Sequence, residues 1–420
     1  METLHLLDSQ QYSRAANEFS TPFYIYSEEV IERACREAMS FPHAFGLTVR
    51  YALKSNPLTA FLKIAERAGL HFDASSEYEA YRCLKVGIPA EKIQLTAQQF
   101  PKKHLSMFED GKMRYNACSL HQLEEFGKNF PGRELSIRIN PGVGSGSNRK
   151  TNVGGPSSSF GIWYEQLDEA AEIVERYSLK LTRIHTHIGS GTDPDVWKDV
   201  ASMSLDFAVR FPLVDTLNLG GGFKVARMSD EKTTDLQEIG EVVKSEFLRV
   251  AGESGRKLKL EIEPGTFISA TSGALVSQVD DLTSTGAGGY EFLKVNTGMD
   301  AITRPALYAS RHSMVVLPQE NTESTKEYIV TGHCCESGDV FTLGEGDVLE
   351  PRLMSEAQVG DLVIIEGAGA YCSSMNLRNY NSFPACSEVL CDKQGQFHLL
   401  RGVETVEDML SRESCPDFLA

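Results

Sequence analysis

The feature that most constrains the fold is a long alternation of short strand-like runs with amphipathic helical stretches, which extends to about residue 300. Residues 21–26 (TPFYIY) read as a first strand, and Ser27 before two glutamates predicts a helix start. Strands that alternate with helices indicate a parallel sheet. Roughly eight to ten such units in about 270 residues fit a closed eight-fold barrel better than an open sheet. The further strand-like runs of this series are 47–51, 70–73, 92–96, 114–116, 135–139, 181–187, 216–219, 258–262 and 292–295. Helical stretches are predicted at 60–68, 78–84, 166–177 and 236–253.

After residue 300 the pattern changes to strand-like runs that are separated by turn residues, with little helix between them. This pattern favours an antiparallel β domain. These runs are 314–317, 328–332, 347–349, 362–366, 388–391 and 398–401. With 420 residues, two domains are the natural expectation. We therefore predict an α/β protein with a (β/α)8 TIM-like barrel over residues 30–300. A β-sandwich or Greek-key β-barrel domain is predicted over residues 301–420, together with the N-terminal strand 21–26.

Charge and cysteine usage exclude several classes of protein. The net charge of −17 would repel a phosphate backbone, so nucleic-acid binding is not expected. The nine cysteines are scattered and form no C-x-x-C pair, which is unlike a secreted disulfide framework or a structural zinc site. The first twenty residues lack the apolar core of a signal peptide, and no apolar run reaches about 18 residues. We expect a cytoplasmic protein with no membrane partner.

Two charged segments stand directly after strand-like runs, where a barrel carries its active site. Lys54, in YALKSNP, is a candidate nucleophile toward a carbonyl group, although a lone lysine after a strand is usually a surface residue. Glu261 and Glu263 lie on one face of a strand that Pro264 ends. Glu263 would be held at the barrel rim, where a solvated glutamate is the commoner explanation.

Two glycine-rich segments, 187–191 (HIGSG) and 220–222 (GGG), also follow strand-like runs. Glycine lets a backbone approach an anion closely, so both are candidate phosphate-binding loops, although each alone is equally an ordinary turn. Neither has the spacing of a dinucleotide or nucleoside-triphosphate motif. His185 and His187, at i and i+2 on a strand, would face the same side, but no acidic ligand is near in sequence, so no metal site is predicted.

Seven segments occur in an order and spacing that resemble the fold-type-III pyridoxal-phosphate decarboxylases. They are YALKSNP, HIGSG, GGGF, EPG, RPALY, CESGD and GAY, and the resemblance extends over about residues 21–410. This family includes the diaminopimelate, ornithine and arginine decarboxylases. The chain most resembles its bacterial diaminopimelate-specific branch, of which KTNVGG with FGIWY is typical in one subgroup.

The resemblance implies pyridoxal 5'-phosphate as cofactor and assigns roles to individual residues. Lys54 would carry the cofactor, His187 would stack on its ring, and Glu263 would pair with the ring nitrogen. A carboxylate there keeps the nitrogen protonated, which favours decarboxylation over the racemisation that relatives with an arginine at this point carry out. The phosphate would be held by Ser190, Gly221, Gly222, Gly265 and Tyr371.

The same resemblance implies a substrate and a homodimer with shared active sites. Arg304 and Tyr308 would bind the distal carboxylate of meso-2,6-diaminopimelate, because an arginine fork suits a carboxylate and repels an ammonium. Glu336 would bind the distal amine, and Cys335 would donate a proton to the carbanion. Cys335, Glu336 and Tyr371 would reach the site from the partner subunit. The implied reaction yields L-lysine and CO2, the last step of lysine biosynthesis.

Two departures from the family pattern leave alternatives open. Thr266 stands where many members have the arginine of E-P-G-R, and Asn296 stands where an aspartate is common. A paralogue that acts on another carboxylate-bearing amino acid is therefore a second hypothesis, unless Arg149 or Arg311 compensates for Thr266. A non-catalytic regulatory homologue is a third, although such proteins typically lose the lysine or the cysteine that this chain keeps.

Overall fold

The computed structural model describes residues 1–144, 154–187, 191–320 and 322–419 of the chain. These residues divide into two compact units. One comprises Ile31–Ala226 and Glu231–Ile268, and the other comprises Met1–Val30, Arg227–Asp230 and Ser269–Ala420. The strands, in chain order, are β1 (Phe23–Ser27), β2 (Leu47–Ala52), β3 (His71–Ala74), β4 (Ile93–Leu95), β5 (Arg114–Ala117), β6 (Glu134–Asn140), β7 (Ile162–Trp163), β8 (Lys180–Thr186), β9 (Thr216–Asn218), β10 (Lys259–Ile262), β11 (Gly273–Ser284), β12 (Glu291–Val295), β13 (Met314–Leu317), β14 (Thr325–Thr331), β15 (Arg352–Ser355), β16 (Leu362–Glu366), β17 (Ser387–Cys391) and β18 (Phe397–Arg401). The α-helices are α1 (Ser9–Glu18), α2 (Glu28–Met39), α3 (Thr59–Arg67), α4 (Glu77–Lys85), α5 (Leu120–Asn129), α6 (Leu167–Arg176), α7 (Pro194–Val209), α8 (Leu236–Ser254), α9 (Thr266–Ser269), α10 (Arg304–Tyr308) and α11 (Val406–Leu410).

The first unit is a closed barrel of eight parallel strands. They follow one another as β2, β3, β4, β5, β6, β8, β9 and β10, and β10 closes the ring by pairing with β2. The short strand β7 pairs with β6 beside the ring. All of these pairings are parallel, which confirms the predicted eight-fold barrel. Its strands therefore end at one face, where side chains from distant parts of the sequence meet.

The barrel helices begin and end where the sequence provides caps. Ser76 accepts a hydrogen bond from the backbone N–H of Glu79 at the start of α4, and Ser119 does the same for Gln122 in α5. The 19-residue helix α8 starts after Asp235, whose carboxylate accepts from two backbone N–H groups. It ends at Gly255, whose φ of 74° is readily adopted by glycine. The predicted helix 236–253 is thus observed one residue longer.

The second unit is built on a mixed sheet with the order β15-β14-β12-β11-β1-β17-β18, in which β16 joins β11 to β13. Of the eight strand pairings among its described residues, six are antiparallel, whereas β1–β17 and β12–β14 are parallel. The N-terminal strand β1 therefore lies inside the sheet, between β11 and β17. The apolar cluster around it is formed by Tyr12, Ala15, Phe23, Ile25, Ala274, Val276, Ile364, Val389 and Cys391.

Two strand predictions differ from the structure. The run 292–295, which continues the barrel series in sequence, is β12 of the mixed sheet and pairs with β11 and β14. A short apolar run does not identify the sheet to which it belongs. The run 347–349 contains an isolated bridge at Leu349, and the strand forms later, as β15. Gly346 and Asp347 have φ of 74° and 61°, so the chain turns there instead of extending.

Within the described ranges, no helix has both the length and the apolar character needed to span a membrane.

Candidate active site

The barrel face at the strands' carboxyl ends gathers the predicted barrel residues. Lys54 lies two residues after β2, in a short 3-10 helix, and its side chain is exposed. His187 directly follows β8 and Glu263 directly follows β10. Residues 220–222 come after the last residue of β9, Asn218. Ser190 lies outside the described residues.

Glu263 is a buried carboxyl group that is held mainly through one oxygen. Its Oε1 accepts hydrogen bonds from Asn218 Nδ2 at 2.6 Å and from Gln94 Nε2 at 3.0 Å. Asn218 is oriented by the backbone, because the N–H of Gly220 donates to its Oδ1 at 2.8 Å. Burial, followed by the nearby Asp73 carboxyl group, raises the pKa of Glu263, and the Asn218 hydrogen bond opposes this effect.

Glu261, two residues earlier on the same strand face, has a different environment. Its carboxylate forms a buried bidentate pair with Arg50, at 2.9 and 3.1 Å, and lies 3.5 Å from Arg183. Burial acts to raise the pKa of Glu261, but the Arg50 charge and hydrogen bond outweigh it, so the pKa is lowered. Of the two acids on this strand face, Glu261 therefore forms an ion pair in the barrel core. Glu263 is a carboxyl group at the rim with no arginine partner among the described residues.

Asp73, on β3, supplies a second acid to the rim. Its Oδ1 accepts the hydroxyl proton of Thr96 at 2.7 Å and lies 3.4 Å from Gln94 Nε2. Burial raises the pKa of Asp73, although the Thr96 hydrogen bond and the charge of Lys54 act to lower it. Gln94 lies between Asp73 and Glu263, so the two acids belong to one hydrogen-bonded group.

Two histidines lie next to these acids. The rings of His185 and His187 are nearly parallel, with centroids 6.5 Å apart, as expected for positions i and i+2 of a strand. His185 Nδ1 lies 2.6 Å from Asn116 Nδ2, and its Nε2 lies 3.5 Å from Glu263 Oε2. Burial, then the charge of Arg138, lowers the pKa of both histidines, so both rings are neutral.

The glycines after β9 are required by close contacts. A Cβ atom on Gly220, whose φ is 71°, would lie 2.8 Å from the His187 ring. A Cβ atom on Gly221 would lie 2.5 Å from the carbonyl oxygen of Glu263. Gly222 accepts a backbone hydrogen bond from Gly191 at 3.2 Å. These contacts hold the loop against the residues that flank the site, and they leave no room for a side chain at Gly220 or Gly221.

Gly265 occupies the turn after β10. A Cβ atom there would lie 3.2 Å from Ala52 and Ser55, which border Lys54. Thr266 begins the short helix α9 and is partly buried. Of the two arginines considered as substitutes for the arginine missing at Thr266, Arg149 lies outside the described residues. Arg311 pairs with Asp230 at 2.8 Å.

This barrel rim suits pyridoxal phosphate. Among the buried nitrogen atoms that have no hydrogen-bond partner in the described residues are His187 Nδ1, directly after β8, and Arg138 Nη2, on β6. Beside them are Glu263, a buried acid that forms no ion pair with an arginine or lysine of the described residues, and the glycine loop 220–222. A group with a basic ring nitrogen and a phosphate matches these donors and this acid.

In the second unit, Arg304 begins α10 and Tyr308 ends it. Arg304 Nη2 donates to Ser310 at 3.1 Å, and its guanidinium carbon lies 5.9 Å from the centre of the Tyr308 ring. Its Nε is buried without a hydrogen-bond partner among the described residues. Burial raises the pKa of the nearby Cys372 thiol to about 11, and the charge of Arg304 opposes this effect.

Cys335, Glu336 and Tyr371 also belong to the second unit. The backbone N–H of Cys335 donates to Asn381 at 2.8 Å, and the residue is exposed. Glu336 accepts from the backbone of Gly338 and from Tyr380, at 3.2 Å each, and these hydrogen bonds lower its pKa. Tyr371 has a φ of 56° and is partly buried.

One cluster in the second unit has the chemistry of metal ligands. Asp300 Oδ1 lies 2.8 Å from His333 Nε2 and 3.5 Å from the Cys334 thiol. A carboxylate that accepts from an imidazole N–H and a thiol accounts for these contacts as hydrogen bonds.

Several residues of the rim are absent from the sequence prediction: Asp73, Gln94, Asn116, Arg138 and Asn218. Each lies inside a short strand of three to seven residues. A polar residue in such a strand is ordinarily assigned to the solvent face, and only closure of the barrel turns it inward. The available signal was the polar pair Asp73 and Gln94, which are register partners on β3 and β4, together with Asn116 near the end of β5.

Known proteins resemble the chain over nearly its full length. The profile of the pyridoxal-dependent decarboxylase family, pyridoxal binding domain, matches residues 28–270. A diaminopimelate decarboxylase of Escherichia coli K12 is 33% identical over 97% of both chains. One of Streptomyces coelicolor is 34% identical over 98% of this chain and 93% of its own.

Solved structures agree with these relatives. A crystal structure of a diaminopimelate decarboxylase superposes with a TM-score of 0.90 at 32% identity, covering 97% of this chain and 99% of that one. The Helicobacter pylori enzyme complexed with L-lysine gives a TM-score of 0.82 at 26% identity, over 95% and 98% of the two chains. The match of the family profile to more than half of the chain, on a barrel whose rim suits the cofactor, shows that this chain belongs to the pyridoxal-dependent decarboxylases.

Proposed function

We propose that this chain decarboxylates meso-2,6-diaminopimelate to L-lysine and CO2. Relatives that carry the name diaminopimelate decarboxylase match it at 33–34% identity over almost the whole of both chains. The observation that carries the chemistry is Glu263, a buried carboxyl group at the barrel rim, held by Asn218 and Gln94.

Pyridoxal phosphate, when bound, supplies a protonated ring that accepts the electron pair left when CO2 departs. Lys54 is assigned to attach the cofactor through its amine, and His187 to stack on the ring. Glu263 is assigned to the ring nitrogen, which it keeps protonated. The phosphate is assigned to Gly221, Gly222, the backbone at Gly265, Tyr371 and, beyond the described residues, Ser190.

The substrate assignments rest on the second unit. Arg304, whose buried Nε has no hydrogen-bond partner in the residues that the structure describes, is assigned with its neighbour Tyr308 to the distal carboxylate of the substrate. Glu336, whose lowered pKa keeps it ionised, is assigned to the distal ammonium group. Cys335 is exposed and is assigned as the proton donor that replaces CO2 on the α-carbon.

We further propose a cytoplasmic homodimer in which Cys335, Glu336 and Tyr371 complete the partner's active site. The exposure of Cys335 and Glu336 supports this assignment, since groups that serve a neighbouring subunit must reach the surface. All nine cysteines lie in the described part of the chain and are free thiols. Free thiols throughout a chain are typical of a reducing compartment.

Thr266 favours one second candidate, a decarboxylase for another amino acid that carries an extra carboxylate. Threonine keeps a hydrogen-bonding hydroxyl but no charge at the position where many family members have an arginine. A change of charge next to the Gly265 turn alters which anionic groups are bound there.

The deciding experiment is CO2 release by the purified chain loaded with pyridoxal phosphate. Meso-diaminopimelate, L-lysine, L-ornithine and L-arginine are offered side by side, and the Lys54→Ala chain is the matched blank. Release from diaminopimelate alone, with L-lysine as the product, supports the proposal. Release from lysine or ornithine instead, or from none of the four while the cofactor is bound, contradicts it, and the second outcome favours the Thr266 alternative.

A further inference from the structure

The two oxygens of Glu263 are not equivalent. Oε1 accepts from Asn218, whose orientation is fixed by a backbone N–H. Oε1 also accepts from Gln94 Nε2. This end of the Gln94 amide must be the nitrogen, because it also lies near the oxygens Asp73 Oδ1 and Thr96 Oγ1. No hydrogen bond from the described residues reaches Oε2, and His185 Nε2 lies 3.5 Å from it.

A chain of hydrogen bonds on the far side of His185 fixes where its proton lies. Thr96 has one hydroxyl proton, which it donates to the Asp73 carboxylate at 2.7 Å. Its oxygen must therefore accept from Asn116 Nδ2, at 3.2 Å, so the amide of Asn116 presents its nitrogen to this side. The same nitrogen lies 2.6 Å from His185 Nδ1 and donates to it.

A neutral imidazole that accepts at Nδ1 carries its proton on Nε2. His185 is buried, and the charged groups that act on it are Arg138, Lys54, Arg50 and Glu263. Burial and the three cations all favour the neutral ring; His187, the other titratable neighbour, acts in the same direction. The Nε2 atom of His185 has no other hydrogen-bond partner among the described residues.

We propose that His185 is a positioning residue for Glu263: Asn116 fixes the tautomer of His185, and its Nε2–H is directed at Oε2 of Glu263. The six side chains Glu263, Gln94, Asp73, Thr96, Asn116 and His185 thereby form a closed ring inside the barrel rim. The ring supplies a donor to each oxygen of Glu263 from a separate strand.

This arrangement has a consequence for catalysis that rests on the proposed function of Glu263. A donor at Oε2 stabilises the ionised carboxylate, whereas the second acid of the ring, Asp73, disfavours it. Without the His185 donor, the pKa of Glu263 rises, and a smaller fraction is ionised near neutral pH. His185 therefore acts through Glu263, with no contact to substrate required.

The first test needs neither cofactor nor substrate. In the ¹⁵N-histidine NMR spectrum of the chain prepared without cofactor, the His185 signals are identified by their loss in His185→Gln or, if that variant does not fold, in His185→Asn. We expect a neutral ring that is protonated at Nε2 and unprotonated at Nδ1. A ring protonated at Nδ1, or at both nitrogens, near pH 7 overturns the proposal whether or not the chain decarboxylates anything.

The second test uses two variants that each copy one nitrogen of the ring. Glutamine places an amide near the Nε2 position and can still donate to Glu263, whereas asparagine places one near Nδ1 and reaches only Asn116. In His185→Asn the acid limb of the kcat/KM profile, and of the absorbance titration of the bound cofactor, is expected to move upward by about one to two pH units. A shift of this size corresponds to the free energy that a hydrogen bond to a charged group typically contributes. In His185→Gln, the acid limb of the kcat/KM profile and that of the cofactor titration should lie closer to those of the parent chain.

His71→Gln is the matched control, because His71 is a barrel-strand histidine whose burial also lowers its pKa, to about 4, and which is assigned no part in the site. It should leave both profiles unchanged. If His185→Asn and His185→Gln shift the limb equally, or neither shifts it, His185 has only a structural role and the proposal fails. A parent chain that binds the cofactor but decarboxylates none of the four substrates contradicts the proposed function alone, and the cofactor titration still decides the role of His185.

Discussion

Glu261 and Glu263 stand two residues apart on the same strand face, yet their replacement by glutamine is expected to change stability in opposite directions. Glu263→Gln removes a buried acid that has amide donors but, within the described part of the chain, no ion pair with an arginine or lysine. Glu261→Gln removes the carboxylate that neutralises the fully buried Arg50. The two changes are nearly identical in volume, so they separate the effect of charge from that of packing.

The pH dependence follows from the direction of each pKa shift. The pKa of Glu263 is raised in the folded chain, so its contribution to stability is complete below its unfolded pKa, near 4.3, and is lost as the pH rises through the folded value. Glutamine does not titrate, so the advantage of Glu263→Gln should be small near pH 4 and reach about 1–3 kcal/mol at pH 8. The pKa of Glu261 is lowered, so its ionised form stabilises the fold above the unfolded pKa. Glu261→Gln should therefore cost about 3–5 kcal/mol at neutral pH.

The assay is thermal unfolding of the cofactor-free parent and both variants at several pH values between about 4.5 and 8. For a unit of this size, 1 kcal/mol corresponds to about 2–4 °C in Tm. We expect a rise of a few degrees for Glu263→Gln at pH 8 and a larger fall for Glu261→Gln. A fall for both variants at pH 8, or a gain for Glu263→Gln that does not grow with pH, would refute the reasoning that the charge of Glu263 is costly to bury.

Three further predictions concern the assigned chemistry. Lys54→Ala should abolish the visible absorbance of the attached cofactor, because alanine has no amine to bond its carbonyl; a band that borohydride still fixes to the chain would assign the attachment elsewhere. Cys335→Ala should lower kcat by about 10²–10⁴-fold through loss of the proton donor and leave cofactor affinity unchanged, and an unaltered kcat would remove Cys335 from the mechanism. Arg304→Ala should lower kcat/KM for meso-diaminopimelate by about 10–100-fold and affect L-lysine much less, with partial rescue in Arg304→Lys; equal losses on both substrates would indicate a structural role.

The sequence was sufficient to predict the barrel, because alternating strands and helices have few other closed arrangements. It also predicted that Lys54, His187 and Glu263 follow strands, and the structure places them after β2, β8 and β10, at the face where the carboxyl ends of parallel strands meet. Their roles in the reaction stay a prediction. It could not predict Asp73 or Asn116, whose importance depends on a strand interior turning toward the barrel axis. Nor could it predict the partners of Glu261, because Arg50 is more than two hundred residues away in sequence and adjacent only after the ring closes.

The position of β1 has a consequence for the order in which the chain folds. This strand is among the first parts to be synthesised, yet its two neighbours, β11 and β17, come about 250 and 365 residues later. In sequence, the barrel strands all lie between β1 and those partners, so the barrel can form before either partner of β1 has been synthesised. We expect the mixed sheet to form slowly, since pairing over such separations requires closing very long loops. A chain that lacks its last forty residues would then retain the barrel but leave one edge of β1 open to pairing with another molecule.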